Sequence, residues 1–285
     1  MGKFDVTTSQ YAAFLNAVAT TSDPYGLYNS NMATDLPTVG IAQSGSPGSY
    51  SYSVKGNGSV PVFDVTWGDA ARFSNWLQNG QPNASEGNGT TETGAYTLNG
   101  AITNSALMAI TRNTGATYFI PSQDEWYKAS YYKGGGANAG YWTYPTQSNT
   151  APINTLPDTG NHANFEDYYD TGNGGYTDPT NYLTPVGAFS SSPGPYGTFD
   201  QGGDVFQWNE TPVTGSSRGL RGGSFSYASP ILASSSRNYY DPTDGDSLLV
   251  GFRVASSAAS PEPGGIAMLL AGALAFGIWR LRRND

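Results

Sequence analysis

Residues 61–77 read PVFDVTWGDAARFSNWL. Thr66 and Asp69 stand three positions apart, so the threonine hydroxyl can satisfy a free backbone amide at a helix start while the acid returns to the threonine's own amide. Ala70, Phe73, Trp76 and Leu77 then fall at helical spacing on one face, and Gly80 ends the helix. The same grammar occurs twice more. Thr7 with Gln10 opens a helix whose apolar stripe is Tyr11, Phe14, Leu15 and Val18, and Ser122 with Glu125 opens one carrying Trp126, Ala129 and Tyr132 up to the glycines from Gly134. Stripes of this kind face a core.

Around these helices lie short apolar stretches, among them TYFIP (117–121), GLRGGSF (219–225) and LLVGFRVA (248–255), set between clusters of Gly, Pro, Asn and Asp that read as turns. A few helices, short strands and long ordered loops predict an α+β domain over residues 1–255. Asn83 to Gly94 reads as an exposed hairpin or insertion, residues 256–260 as a linker, and no internal repeat is visible.

Composition removes whole classes of function. With 285 residues the chain can build a sizeable core, yet only 12% of it is charged, and Ser, Thr, Asn, Gly and 20 tyrosines supply the polarity. A net charge of -9, with basic residues clustered only at the C-terminal end, argues against nucleic acid as a partner. The chain has no cysteine and a single histidine, His162. Disulfides, thiolate metal sites, a thiol nucleophile and three-histidine metal centres are therefore excluded by counting.

Seven stretches resemble, in order, the formylglycine-generating enzyme or sulfatase-modifying factor domain: VTTSQYAAFLNAV, PVFDVTWGDAARFSNWL, YFIPSQDEWYKAS, LTPVGAF, GGDVFQWNE, RGLRGGSF, and SSRNYY through VGFRVA. The resemblance implies a loop-rich, C-type-lectin-like fold. It also implies a copper-dependent oxidase that converts a substrate cysteine to formylglycine with a pair of its own cysteines shortly after the RGGS motif. In this chain that segment is RGGSFSYASPILASSSRNYY, with Tyr227 and Leu232 where the thiols would stand. A phenol and an alkyl group do not hold copper(I), so no copper is expected and the family's oxidase activity should be missing. A related branch that forms carbon–sulfur bonds on iron needs three histidines, which His162 cannot supply alone.

Two calcium sites follow from the same resemblance. The first would use Asp200 and Gln207 by side chain and Gly203 and Val205 by carbonyl, with Gln207 replacing a glutamate. The second would use Asn164 and Asp178 by side chain, with Phe165 and Thr180 by carbonyl. Such oxygen sets suit a hard cation, although acids and amides of this kind also cap turns. The resemblance also implies that the segment Gly222–Tyr240 floors the groove of the fold, which makes Ser224, Tyr227, Arg237 and Tyr240 candidates for ligand contact.

Other patterns carry less. Gly215-Ser216-Ser217-Arg218-Gly219 matches G-x-S-x-G but stands before a strand, without the elbow or histidine a hydrolase needs. His162 reads as a solvated or hydrogen-bonded loop residue, Asp241, Asp244 and Asp246 as an acidic turn, and Arg221, Arg237 and Arg253 as loop-holding side chains. Tyr131, Tyr132, Tyr141, Trp142, Tyr144, Tyr168, Tyr169, Tyr239 and Tyr240 read mainly as loop anchors, and alternatively as recognition rings able to stack on sugars.

The last 25 residues differ from the rest. Pro261-Glu262-Pro263 precedes 16 uncharged residues, Gly264 to Trp279, and then Arg280, Arg282 and Arg283. As a helix that run spans about 24 Å, slightly less than the roughly 30 Å hydrocarbon core of a bilayer, with the arginines on the cytoplasmic side. The order resembles the PEP-CTERM sorting signal, which implies processing by an exosortase and export to the outer envelope or beyond in a Gram-negative bacterium, with a transient inner-membrane anchor. The N-terminal residues contain no basic region followed by an apolar stretch, so the true start is expected upstream. The combined expectation is an exported, non-catalytic lectin-like protein that binds exopolysaccharide or surface glycan. A thiol-free enzyme and a protein-binding accessory subunit are the alternatives.

Overall fold

A computed structural model of the chain describes residues 1–168, 174–245 and 247–257. Tyr169, Asp246, the end of the linker, and the tail from Pro261, where a helix over 264–279 and the arginines are expected to form the sorting signal, lie outside the described residues. Among the described residues no helix is long and apolar enough to cross a membrane.

The described helices are α1 Thr8–Val18, α2 Asn31–Thr34, α3 Trp67–Gln78, α4 Asn104–Ala109 and α5 Gln123–Tyr131. All three predicted capping boxes form: Thr7 with Gln10, Thr66 with Asp69 and Ser122 with Glu125 each exchange side-chain and backbone bonds in both directions. Tyr132 lies just past the last turn of α5 rather than on its stripe, because the chain there turns extended. The two short helices were not foreseen, since four and six residues offer too little periodicity to read.

The strands are β1 Gly40–Ser44, β2 Ser51–Lys55, β3 Tyr118–Phe119, β4 Tyr132–Lys133, β5 Gly140–Tyr141, β6 Phe206–Thr214, β7 Ser217–Arg221, β8 Asn238–Tyr240, β9 Val250–Gly251 and β10 Ala255–Ser256. The largest sheet has the order β8-β7-β6-β9, with β9 parallel to β6 and the other pairs antiparallel. The remaining strands pair as three small two-stranded ladders. The G-x-S-x-G pattern is the turn and first residues of the β6–β7 hairpin, where no nucleophile elbow exists.

α1 and α3 bury their stripes against each other and against Phe252. Phe14 and Phe73 meet edge to face at 5.3 Å, as do Phe73 and Phe252. Quadrupolar attraction adds to area burial in such pairs. On the other side of α3, Trp67 is fully buried beneath the guanidinium of Arg218, 3.7 Å from its ring centroid.

One expectation is corrected. Residues 83–94 form no strand, and although 83–85 and 88–89 are exposed, Thr90, Thr91 and Glu92 are buried. The cause is Arg72, which α3 carries into the core. Its Nε and Nη2 donate to the two carboxylate oxygens of Glu92 at 2.7 and 3.2 Å, and its Nη2 also donates to the Ala101 carbonyl. A buried cation needs a partner, and this loop supplies it. Asn75 and Asn79 add amide bonds to the carbonyls of Thr91, Thr90 and Thr93.

Candidate functional site

The motif at Gly203–Trp208 places its residues by a tight approach of two loops. Gly203 has φ +90, and a Cβ there would lie 1.9 Å from the Asn164 carbonyl oxygen, so only glycine fits. The amide of Asp204 then donates to that same carbonyl at 2.9 Å. Asn164 returns a side-chain bond to Asp204 Oδ1 at 2.7 Å, where the Thr184 amide also donates. Burial, followed by the nearby Asp200 carboxylate, pushes Asp204 up to about 7. Burial pushes Asp200 up to about 6, against the stabilising bond from the Gly187 amide.

The implied calcium ligands divide into two groups. Asp200 Oδ1 and Asn164 Oδ1 are buried and have no hydrogen-bond partner among the described residues, as expected of an oxygen open to a cation or to water. Asp200 also lines a small enclosed space of about 10 Å³, the size of one water. Gln207 is committed elsewhere. Its Oε1 accepts from Trp126 Nε1 at 2.6 Å and Arg253 Nε at 3.2 Å, and its Nε2 donates to the Asp200 carbonyl. An oxygen already facing a guanidinium is a poor calcium ligand. Asp178 is committed too: its carboxylate accepts from the amides of Thr180 and Asn181 and from the Asn181 side chain, which closes its own turn. Of the side-chain oxygens in the two implied sets, Asp200 Oδ1 and Asn164 Oδ1 are the open ones, while Gln207 and Asp178 are held by other partners and the Phe165 carbonyl accepts from Asn154 Nδ2 at 3.1 Å.

The groove candidates differ in exposure and in partners. Ser224 is fully buried and its hydroxyl has no partner among the described residues. Tyr227 packs edge-on against Phe206 at 5.3 Å, and Leu232 is fully buried with its carbonyl held by Tyr131. Tyr240 is half-buried opposite Arg218 on β7. Arg237 is exposed and makes no hydrogen bond among the described residues, unlike Arg221, which donates to the Ser234 and Ser236 carbonyls, and Arg253. His162 is buried with both ring nitrogens engaged, one on the Thr155 carbonyl at 2.7 Å and one on Thr159 Oγ1 at 3.1 Å. Asp241 caps its turn through Thr243.

A second concavity is lined by rings. Tyr132, Lys133, Gly134, Trp142, Gln147, Pro195 and Tyr196 enclose an open cleft of about 380 Å³. Tyr132 and Tyr196 are near parallel at 6.1 Å, and Tyr132 meets Tyr141 edge-on at the same distance. The ammonium of Lys133 lies 4.4 Å from the Trp142 ring centroid and that of Lys128 lies 5.8 Å from the Tyr132 centroid. Tyr196 and Tyr141 expose about half their surface, 55% and 52%. Gln147 ties the two walls by donating to the Pro193 carbonyl at 3.0 Å. Sequence reasoning singled out Tyr132, Tyr141 and Trp142 but missed Lys133, Gln147 and Tyr196. Nothing local marks Tyr196, which enters the cleft from a loop more than fifty residues downstream.

Few helices, a four-stranded sheet and long hydrogen-bonded loops, with the β6 motif seated on Asn164, define a fold of the formylglycine-generating-enzyme type. The chain belongs to the family described as the sulfatase-modifying factor enzyme 1-like domain, whose model matches residues 1–258. Among solved structures it is similar to one described as the crystal structure of CarF, with 21% identity over 90% of this chain and 85% of that one and a TM-score of 0.48. It is also similar to PvdO from Pseudomonas aeruginosa, with 17% identity over 90% of this chain and 79% of that one and a TM-score of 0.49. A comparison with curated proteins found no match.

Proposed function

We propose that this chain is a non-catalytic binding member of its family, exported and sorted through its C-terminal tail, whose ligand is a saccharide of the cell surface or extracellular matrix. The observation that carries the reading is the fate of the two positions implied to hold thiols. Tyr227 and Leu232 are packed as hydrophobic side chains, and the whole chain has no cysteine to replace them. Soft-metal redox chemistry has no ligand set there. The tail supports export by the order of its three parts, Pro261-Glu262-Pro263, apolar run and arginine cluster. Exosortase processing, an outer-envelope or extracellular location and structural calcium belong to the same proposal.

Three measurements test it. A cysteine peptide incubated with the protein, copper and oxygen should keep its thiol; formation of the aldehyde would end the non-catalytic reading. The full chain should co-sediment with exopolysaccharide of its host, and failure to do so removes the saccharide. Intact mass of the protein recovered from that host should show loss of the tail near Pro261.

A further inference from the structure

We propose that the cleft formed by Tyr132, Lys133, Trp142 and Tyr196 is a subsite for an acidic sugar residue of a polysaccharide. This inference rests on the saccharide reading above and names the place and the charge of the ligand. Pyranose rings present a face of C–H groups that packs on aromatic faces, while their hydroxyls need polar atoms at the rim. The cleft offers both. Tyr132 and Tyr196 are near parallel, Tyr196 is more than half exposed, and the tyrosine hydroxyls and the Lys133 ammonium are the polar groups of the lining.

The charge argument comes from distribution. The protein carries a net charge of -9 and only four lysines, Lys3, Lys55, Lys128 and Lys133. Two of the four stand over rings of this one cleft, and no lining residue is acidic. A locally cationic patch on an acidic protein attracts anions where the rest of the surface repels them. Lys133, held over Trp142, is placed to meet a carboxylate on a sugar whose ring lies against the aromatic wall. The cleft is also preorganised, since the Gln147 bond to the Pro193 carbonyl and the Trp142 amide bond to the Tyr131 carbonyl at 2.7 Å fix both walls.

The test uses the full chain, with tetragalacturonate as the acidic probe, its methyl ester as the neutral one, and host exopolysaccharide as the polymer, followed by tryptophan fluorescence and co-sedimentation. Tyr196→Ala should weaken tetragalacturonate binding at least tenfold, while Tyr196→Phe keeps most of it. Lys133→Gln should erase the preference for acid over ester and flatten the salt dependence. Tyr239→Ala, an exposed ring outside the cleft, is the control and should change nothing. If the polysaccharide binds and the Tyr196 and Lys133 variants bind it as the parent does, the cleft is overturned while the saccharide reading stands. If the polymer binds but the ester binds as tightly as the acid, the acidic specificity is overturned. If neither polymer nor oligosaccharide binds, both readings fall.

Discussion

Arg253 Nη2 donates to Asp5 Oδ2 at 3.3 Å, joining two fully buried side chains that stand 248 positions apart. The same guanidinium reaches the Gly2 and Phe199 carbonyls and Gln207 Oε1, so one side chain ties the first residues, the middle loops and β6 to the segment between β9 and β10. Removing one partner of a buried ion pair leaves an uncompensated charge, at a cost of about 3–5 kcal/mol. Arg253→Ala should therefore lower unfolding free energy by about that amount in urea titration. The double variant with Asp5→Ala should lose less than the sum of the two single losses.

Arg72 and Glu92 make the equivalent pair for residues 83–94. Glu92→Ala should cost about 3–5 kcal/mol and should also release the loop. Limited proteolysis within residues 83–89 would then run faster in the variant than in the parent under native conditions. Equal cleavage rates would mean that the asparagine contacts from α3 hold the loop unaided.

Glu86 gives a pH dependence of definite sign. Burial first, and the neighbouring Asp23 carboxylate second, push it up to about 9 from the usual 4.5. A carboxyl whose folded value is raised contributes stability that is fully present below the unfolded value and lost as pH rises through the folded one. Melting temperature should therefore fall between about pH 4.5 and pH 9, with Glu86 as one contributor. Glu86→Gln should flatten that fall, gaining stability relative to the parent at pH 8 and little at pH 4.5. A parallel profile in the two proteins would refute this.

The calcium of the proposed function, if bound by the native state and not the unfolded one, would raise stability by mass action. The melting temperature in millimolar calcium should exceed that in chelator, and Asp200→Asn should reduce the difference. Gln207→Glu should not increase it, because its side chain faces Trp126 and Arg253. Identical melting curves of the parent in calcium and chelator would remove calcium from the proposed function.

Thr66→Ala deletes a cap whose hydroxyl accepts the Asp69 amide at 3.0 Å. The loss should be about 1 kcal/mol, measured by the same urea titration.

What could be read from the chain by itself was whatever repeats within a few residues. The capping boxes at Thr7, Thr66 and Ser122, the stripes behind them and the short strand stretch at Gly219–Arg221 are local patterns. The lack of cysteine likewise needed no coordinates to exclude thiolate chemistry. Only the tertiary structure decided the rest, because each remaining feature is a meeting of distant segments. Glu92 looks like part of a polar surface loop until Arg72 arrives from α3, and Gln207 looks like a ligand until Trp126 and Arg253 close on it. Tyr196 becomes the wall of a cleft only when its loop is laid beside Tyr132. Loop packing of this kind is set by which buried polar groups find partners, a condition that sequence spacing does not encode.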